Sequence, residues 1–300
     1  MVFTQLQVVG WGWDIAAFLW LAGMSGMAAA IYAALVHGGL MSDARRKAYS
    51  WALFVGIAAA LVLVVSDLSR PYNLMNAMLL SLEQGTFGIG RSWMAIGIVL
   101  LAIMALMSLA LLVSSYAGGI LSPLRGRAYS YAMLAVGILV TMYSGFLLAA
   151  APGQPFWNTP LLPLLWLASG TTAAMGLSEI MLYRTGEDRE LSTRISLYGA
   201  FAELVELLTL SAYMYMSYAA MGVGAHIAAE QMLFGPLSYI TWIGVVALGI
   251  VGPMISGFVF AKYRYSGYAL LAVAVLVIAG ALLLRYTVLA SSAFEPIGLL

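Results

Sequence analysis

Asp14, Asp67, Arg70, Arg91 and Tyr143 stand near the ends of long apolar runs, and Glu179, Glu203, Glu206 and Arg285 stand inside them. Carboxylates, guanidinium groups and a phenol can exchange protons, donate hydrogen bonds to a polar head and set a local potential. An ionisable side chain at the centre of a bilayer costs at least about 2.5–3.5 kcal/mol, so each such group is a functional candidate by default. Asp67 and Arg70 are three residues apart, a spacing that shares one helical face, and Pro71 then stops a helix. Glu203 and Glu206 have the same spacing. A ladder of Glu179, Glu203 and Glu206 with Arg285 can relay protons, or the acids can simply hydrogen-bond neighbouring helices. The bland readings of the first group are an interfacial cap and ion pair for Asp67 and Arg70, a headgroup anchor for Arg91, solvation for Asp14 and packing for Tyr143. Their convergence on one membrane face raises the functional reading.

That face follows from the elements that must carry these residues. The chain has 300 residues, 63% hydrophobic and only 8% charged, with a net charge of +1. A soluble domain carries roughly 25% charged residues, so the bulk of this chain belongs in lipid. A membrane helix needs about 20 apolar residues to cross a ~30 Å hydrocarbon core. Eight such runs fall at 11–37, 48–66, 91–115, 129–150, 160–183, 196–221, 235–260 and 266–290. They are too long and unbroken for the ~10-residue alternation of a membrane barrel, which predicts an all-α integral membrane protein. Arg45, Arg46, Lys47, Arg125, Arg127, Arg184, Arg189, Arg194, Lys262 and Arg264 all fall between runs 1–2, 3–4, 5–6 and 7–8. The positive-inside rule therefore puts those loops in the cytoplasm and both termini outside. Asp14, Asp67, Arg91 and Tyr143 then meet at the outer ends of spans 1 to 4.

Other features set limits. No cysteine is present, so disulfides, iron–sulfur ligation and thiolate zinc sites are excluded. His37 and His226 belong to opposite faces and cannot ligate one haem iron from both sides. The near-neutral charge provides no field for nucleic acid. No basic region precedes the first apolar run, so span 1 is expected to act as its own insertion signal rather than as a cleaved one. Similar strings at 46–51, 127–131 and 264–268 read as interfacial cations and aromatics rather than as a repeat. The long connection 67–90 has an amphipathic middle, Tyr72 to Leu82, expected to lie along the interface.

The sequence also resembles the NrfD/PsrC family, the membrane subunits of polysulfide reductase, formate-dependent nitrite reductase and related molybdopterin or cytochrome enzymes. The resemblance rests on Trp11-Gly12-Trp13 and the following Leu-Trp-Leu-Ala-Gly-Met-Ser-Gly, on Asp67-Leu-Ser-Arg70-Pro71, on Arg91-Ser92-Trp93 and on Tyr143-Ser-Gly145-Phe-Leu-Leu. Phe156-Trp157-Asn158, Leu162-Pro163-Leu-Leu-Trp and Arg285-Tyr286 complete it. It implies two four-helix bundles, 1–150 and 151–300, with a quinone of menaquinone type held near the outer face of the first and a proton relay in the second. It implies no haem and no iron–sulfur cluster in this chain. It places an iron–sulfur (ferredoxin-like) subunit on the outer face of the cytoplasmic membrane, and through it a molybdopterin or multihaem catalytic subunit. Tyr143 matches a quinone-contacting tyrosine and Asp67 an acid near that pocket. Some members carry His where Phe18 stands here, and Asp14, one turn away, is the expected substitute. Arg70, Arg91, Trp13 and Trp93 join the expected head-binding set.

The expected function is therefore a quinone/quinol-binding membrane anchor subunit of a respiratory oxidoreductase. The rival readings are a proton-coupled membrane transporter working through Glu179, Glu203 and Glu206, and a purely structural membrane anchor. Pro253 is the strong central breaker that a transporter reading would use, and it has no twin in span 3.

Overall fold

The computed structural model describes residues 11–66, 93–117, 119–185, 189–263 and 265–295. Among these, eight helices are long and apolar enough to cross a membrane. They are α1 (Trp13–His37), α2 (Asp43–Ser66), α3 (Trp93–Tyr116), α4 (Arg127–Ala149), α5 (Leu161–Thr185), α6 (Arg189–Ala219), α8 (240–262) and α9 (Gly267–Ala290). A short α7 (Val223–Leu233) precedes α8, and a 3-10 turn, Gly119–Arg125, leads into α4. The protein is a multi-pass, all-helical membrane protein. In lipid every backbone group must be satisfied within its own segment, and helices do that.

Several helices begin earlier than the apolar runs. α2 starts at Asp43 and α6 at Arg189, so Arg45, Arg46, Lys47 and Arg194 are wound into the first two turns rather than left in loops. Long cationic side chains can stay helical and still reach the headgroups. The region 223–233, expected as part of a connection, forms α7. The segment 67–92, with the expected interfacial stretch Tyr72 to Leu82, lies outside the described residues, as does Arg264.

The helix ends sort into two sets. At one, the basic end, Trp51 donates to the Tyr116 hydroxyl at 2.9 Å and His37 packs on Tyr131 with ring centroids 3.7 Å apart. Tyr265, just before α9, bonds Ser192 of α6 at 3.3 Å. At the far end, Trp13 stacks on Tyr286 at 3.7 Å, Trp157 donates to the Val288 carbonyl at 3.1 Å, and Tyr213 donates to the Phe156 carbonyl at 2.7 Å.

α1 packs against α2, α4 and α5 and also touches α9, while α6 packs on α5 and α8, and α9 on α5 and α8. Lipid tails are as apolar as leucine, so helices associate through close backbone approach and polar contacts rather than through exclusion of water. The α1–α4 crossing shows this. A Cβ added at Gly26 would overlap the Gly137 carbonyl, and one at Gly137 would overlap that of Gly26.

α8 is wound in two ways. Ile240–Val251 is π-helical and Gly252–Lys262 is α-helical. Pro253 has no N–H to return to the preceding turn. The wider winding just before it absorbs the mismatch, with the Gly252 N–H donating to the Ala247 carbonyl. π segments are rare and frequently accompany functional sites.

Candidate functional site

Tyr143 lies on α4, one and a half turns before the far end, and is 5% exposed. Its phenol ring fills the space beside Gly97 of α3, where an added Cβ would overlap the ring and its hydroxyl. One turn further out on both helices, Trp93 stacks on Phe146 at 5.0 Å with planes 12° apart. Both of these rings are partly exposed, as is neighbouring Met94. A flat aromatic pair therefore lies over a buried phenol, on a face that lipid can reach.

Trp13 and Asp14 begin α1 at the same end. Trp13 is held against Tyr286 of α9, and Trp11 stacks on Trp157 at 5.2 Å. Trp13 thus stands beside α9, away from the Trp93–Phe146 pair in its ring partner. Asp14 is partly buried. Phe18, one turn further in, is 3% exposed and belongs to the packed core. Asp67, Arg70 and Arg91, expected to complete this cluster, lie outside the described residues.

A second polar group runs through α5, α6 and α9. Arg285 is fully buried. It donates to the Ser169 hydroxyl and the Ala281 carbonyl, both at 2.9 Å, and lies 5.2 Å from the centroid of the Trp166 ring. Its other terminal nitrogen abuts α1, 2.9 Å from where a Cβ on Gly23 would stand. Among the described residues, salt bridges join only exposed pairs near the basic end, Arg46 with Asp43 and Arg194 with Glu190. Arg285 is therefore held by hydroxyl, carbonyl and aromatic ring rather than by a paired carboxylate.

Glu206 accepts from Thr172 at 2.6 Å, and Glu179 accepts from Ser196 at 2.6 Å. Glu203 is 4% exposed and its Oε2 has no hydrogen-bond partner among the described residues. So the structure brings the three acids and Arg285 of the expected relay onto one side of α5. Ser169, Thr172 and Ser196 were not foreseen. A serine or threonine inside an apolar run ordinarily bonds its own preceding turn, and only the packing shows which ones also reach across.

An open cleft of about 460 Å3 lies elsewhere, between α2 and α5 at the basic end. Ala48, Trp51, Ala52, Val55 and Met181 line it, with Arg184 the only ionisable side chain among the described residues. Among the described residues it offers no acid or phenol for proton exchange.

Comparison with known proteins shows the family. The family model described as "Polysulphide reductase, NrfD" matches residues 2–295. The polysulfide reductase C subunit of Wolinella succinogenes is 31% identical over 95% of the length of both proteins. Protein NrfD of Escherichia coli is 27% identical over 82% of this sequence and 83% of its own. A protein NrfD homolog of Haemophilus influenzae is 28% identical over 49% of this sequence and 47% of its own. With eight apolar helices and a family match that runs almost end to end, this protein belongs to the NrfD polysulphide reductase family.

Proposed function

We propose that the protein is the quinone-reactive membrane subunit of a multi-subunit respiratory oxidoreductase, with the quinone head docked beside Tyr143. The observation that carries this is the seat of that phenol: it is buried against Gly97 of α3, one turn below the Trp93–Phe146 pair, whose rings are exposed at the lipid side. A quinone head needs a donor to its oxygen, a flat apolar surface for its ring and an opening to lipid for its tail, and these residues supply each. When bound, a quinone of menaquinone type carries electron pairs together with protons between the membrane and a partner.

In this reading Tyr143 donates to a head oxygen, and Trp93 and Phe146 pack on the ring. Asp67 and Asp14 exchange protons at the membrane surface, and Arg70 or Arg91 sets the potential there. Trp13, braced on Tyr286 of α9, fixes the start of α1, which carries Asp14. The basic end faces the cytoplasm by the positive-inside rule. The far end, with Tyr143, then faces outward, where an iron–sulfur subunit docks and leads to a molybdopterin or multihaem subunit. The name of the Wolinella succinogenes relative, a lettered component of a reductase, supports a place within a complex. The helix neighbours support two halves of four spans each, α1–α4 and α5, α6, α8 and α9, meeting where α1 touches α5 and α9 and α4 touches α5.

Titration of the purified protein with a fluorescent quinol analogue tests the reading. Tyr143→Phe should weaken binding by about 3- to 10-fold, the worth of one hydrogen bond. In the assembled complex, Asp67→Asn should depress quinol-linked turnover without loss of subunits. Unaltered binding in the first variant and unaltered turnover in the second would remove the proposed site.

A further inference from the structure

The cleft between α2 and α5 takes no part in the quinone reading, and it has a charged mouth and an apolar groove. α2 runs inward from the basic end, so Ala48 lies near the mouth and Val55 about 10 Å deeper along the helix. α5 runs the opposite way, with Arg184 in its last turn at the mouth and Met181 almost one turn further in. Ala48, Ala52 and Val55 recur at intervals of four and three, one face of α2, and the two alanines keep the groove open. Trp51 forms a wall. Its indole N–H donates to the Tyr116 hydroxyl at 2.9 Å, which fixes the ring. Trp51 is 48% and Val55 52% exposed, so lipid reaches the groove along its length.

The mouth is positive. Arg184 is exposed and makes no hydrogen bond or salt bridge among the described residues. Lys47 stands one turn outward from Trp51, with its ammonium 5.0 Å from the centroid of the Tyr116 ring. No acid lines the cleft among the described residues. Asp43, at the start of α2, is paired with Arg46, and Glu190 with Arg194. A cation above an apolar groove matches an amphiphile with an anionic head. An apolar helix laid over the cleft, from a partner or a second copy, would take Arg184 out of water with no counter-charge, which costs several kcal/mol by rough estimate.

We propose that this cleft binds an anionic phospholipid of the phosphatidylglycerol class. Its phosphodiester sits at Arg184, and one acyl chain lies along Ala48, Ala52 and Val55 against Trp51. The guanidinium offers a planar fork to two phosphate oxygens, and Lys47 adds to the positive field at the rim. Basic pockets between membrane helices hold anionic lipid heads in this way. The bound lipid fills the space between α2 and α5. The site is at the opposite end of the helices from Tyr143, and its test needs no quinone.

The full-length protein is reconstituted in phosphatidylcholine vesicles containing a graded fraction of brominated-chain lipid, either phosphatidylglycerol or phosphatidylcholine. Bromine quenches tryptophan on contact, and comparison with a Trp51→Phe counterpart of each protein isolates the emission of Trp51. Brominated phosphatidylglycerol should quench Trp51 at a fraction at least about fivefold lower than brominated phosphatidylcholine, the share of one cation near a membrane surface. Arg184→Gln should remove that preference by about fivefold. Lys262→Gln, which removes an exposed cation from the last turn of α8 at the same end, should leave it unchanged. Equal quenching by the two lipids, or equal losses in Arg184→Gln and Lys262→Gln, overturns the site.

Two competitors and one further variant exclude other occupants. Excess unlabelled phosphatidylglycerol should restore the emission, whereas inorganic phosphate or a short-chain quinone should not. Restoration by phosphate would mean that no chain is held, and restoration by quinone that the occupant is neutral, and either result overturns the proposal. Ala52→Phe fills the groove and leaves both cations in place, so it should also abolish the preference. A preference that survives Ala52→Phe means that the lipid lies outside the cleft.

Discussion

The phenol of Tyr143 occupies the volume that a side chain on Gly97 would need. α3 and α4 are therefore fitted to each other at the one point where a tyrosine is to be buried just below the membrane surface. Gly97→Ala should push the ring aside, at an overpacking cost of about 1–3 kcal/mol. In the assembled complex, quinol-linked turnover should fall at least as far as in Tyr143→Phe, although the hydroxyl is still present. Turnover equal to that of the unaltered protein would show that the position of the phenol is immaterial.

Arg285 is held without a paired carboxylate within salt-bridge distance among the described residues, by Ser169, the Ala281 carbonyl and the face of Trp166. A planar fork suits that set and a point charge does not. Arg285→Lys should lower stability by about 1.5–3 kcal/mol, the worth of hydrogen bonds from a charged group. Arg285→Met should cost less than Arg285→Lys, because an apolar replacement leaves no buried charge short of partners. Thermal unfolding in detergent gives the order of the two variants, and the reverse order contradicts this account of the site.

Thr172 donates to Glu206 between α5 and α6. Thr172→Val keeps the shape and removes the donor, and should cost about 0.6–2 kcal/mol, the range for hydrogen bonds between membrane helices. Glu206→Gln keeps an acceptor for Thr172 and should cost less. The same unfolding assay checks both, and a Thr172→Val protein as stable as the unaltered one would show that the contact is not energetically used.

The α1–α4 crossing leaves no space at Gly26, where the nearest atoms are the Gly137 carbonyl and, just beyond it, the Thr141 hydroxyl. Gly26→Leu should therefore separate the two helices and abolish accumulation of folded protein. Leu21→Ala, on the same helix at a partly buried position, should be tolerated. Monodispersity after detergent extraction distinguishes the two outcomes.

The spans were legible because a bilayer imposes a length and a polarity on anything that crosses it. Their ends moved by several residues where cations such as Arg45 and Arg194 are tolerated in a helical turn. α7 was not legible, since its 11 residues are too few to register as a span and it is entered through Gly222 and Gly224. The acids of α6 and Arg285 stood out by the cost of placing them in lipid. Their partners did not, because Thr172 also bonds its own helix at the Ser169 carbonyl and looks like any intrahelical hydroxyl. Gly97 is one of 31 glycines, and nothing in the sequence marks it as the one that faces Tyr143. The π winding before Pro253 was equally hidden, since a proline announces a break but not how the helix absorbs it.

Photolabelling tests the central claim most directly. An azido-substituted quinone is illuminated with the intact complex in membranes, and the labelled peptides are identified by mass spectrometry. The account predicts labels on α3 and α4 around Trp93, Gly97 and Tyr143, suppressed by excess unlabelled quinone. Labels confined to the α2–α5 cleft around Trp51 and Arg184, or spread over the lipid-facing helices and insensitive to competition, would contradict it.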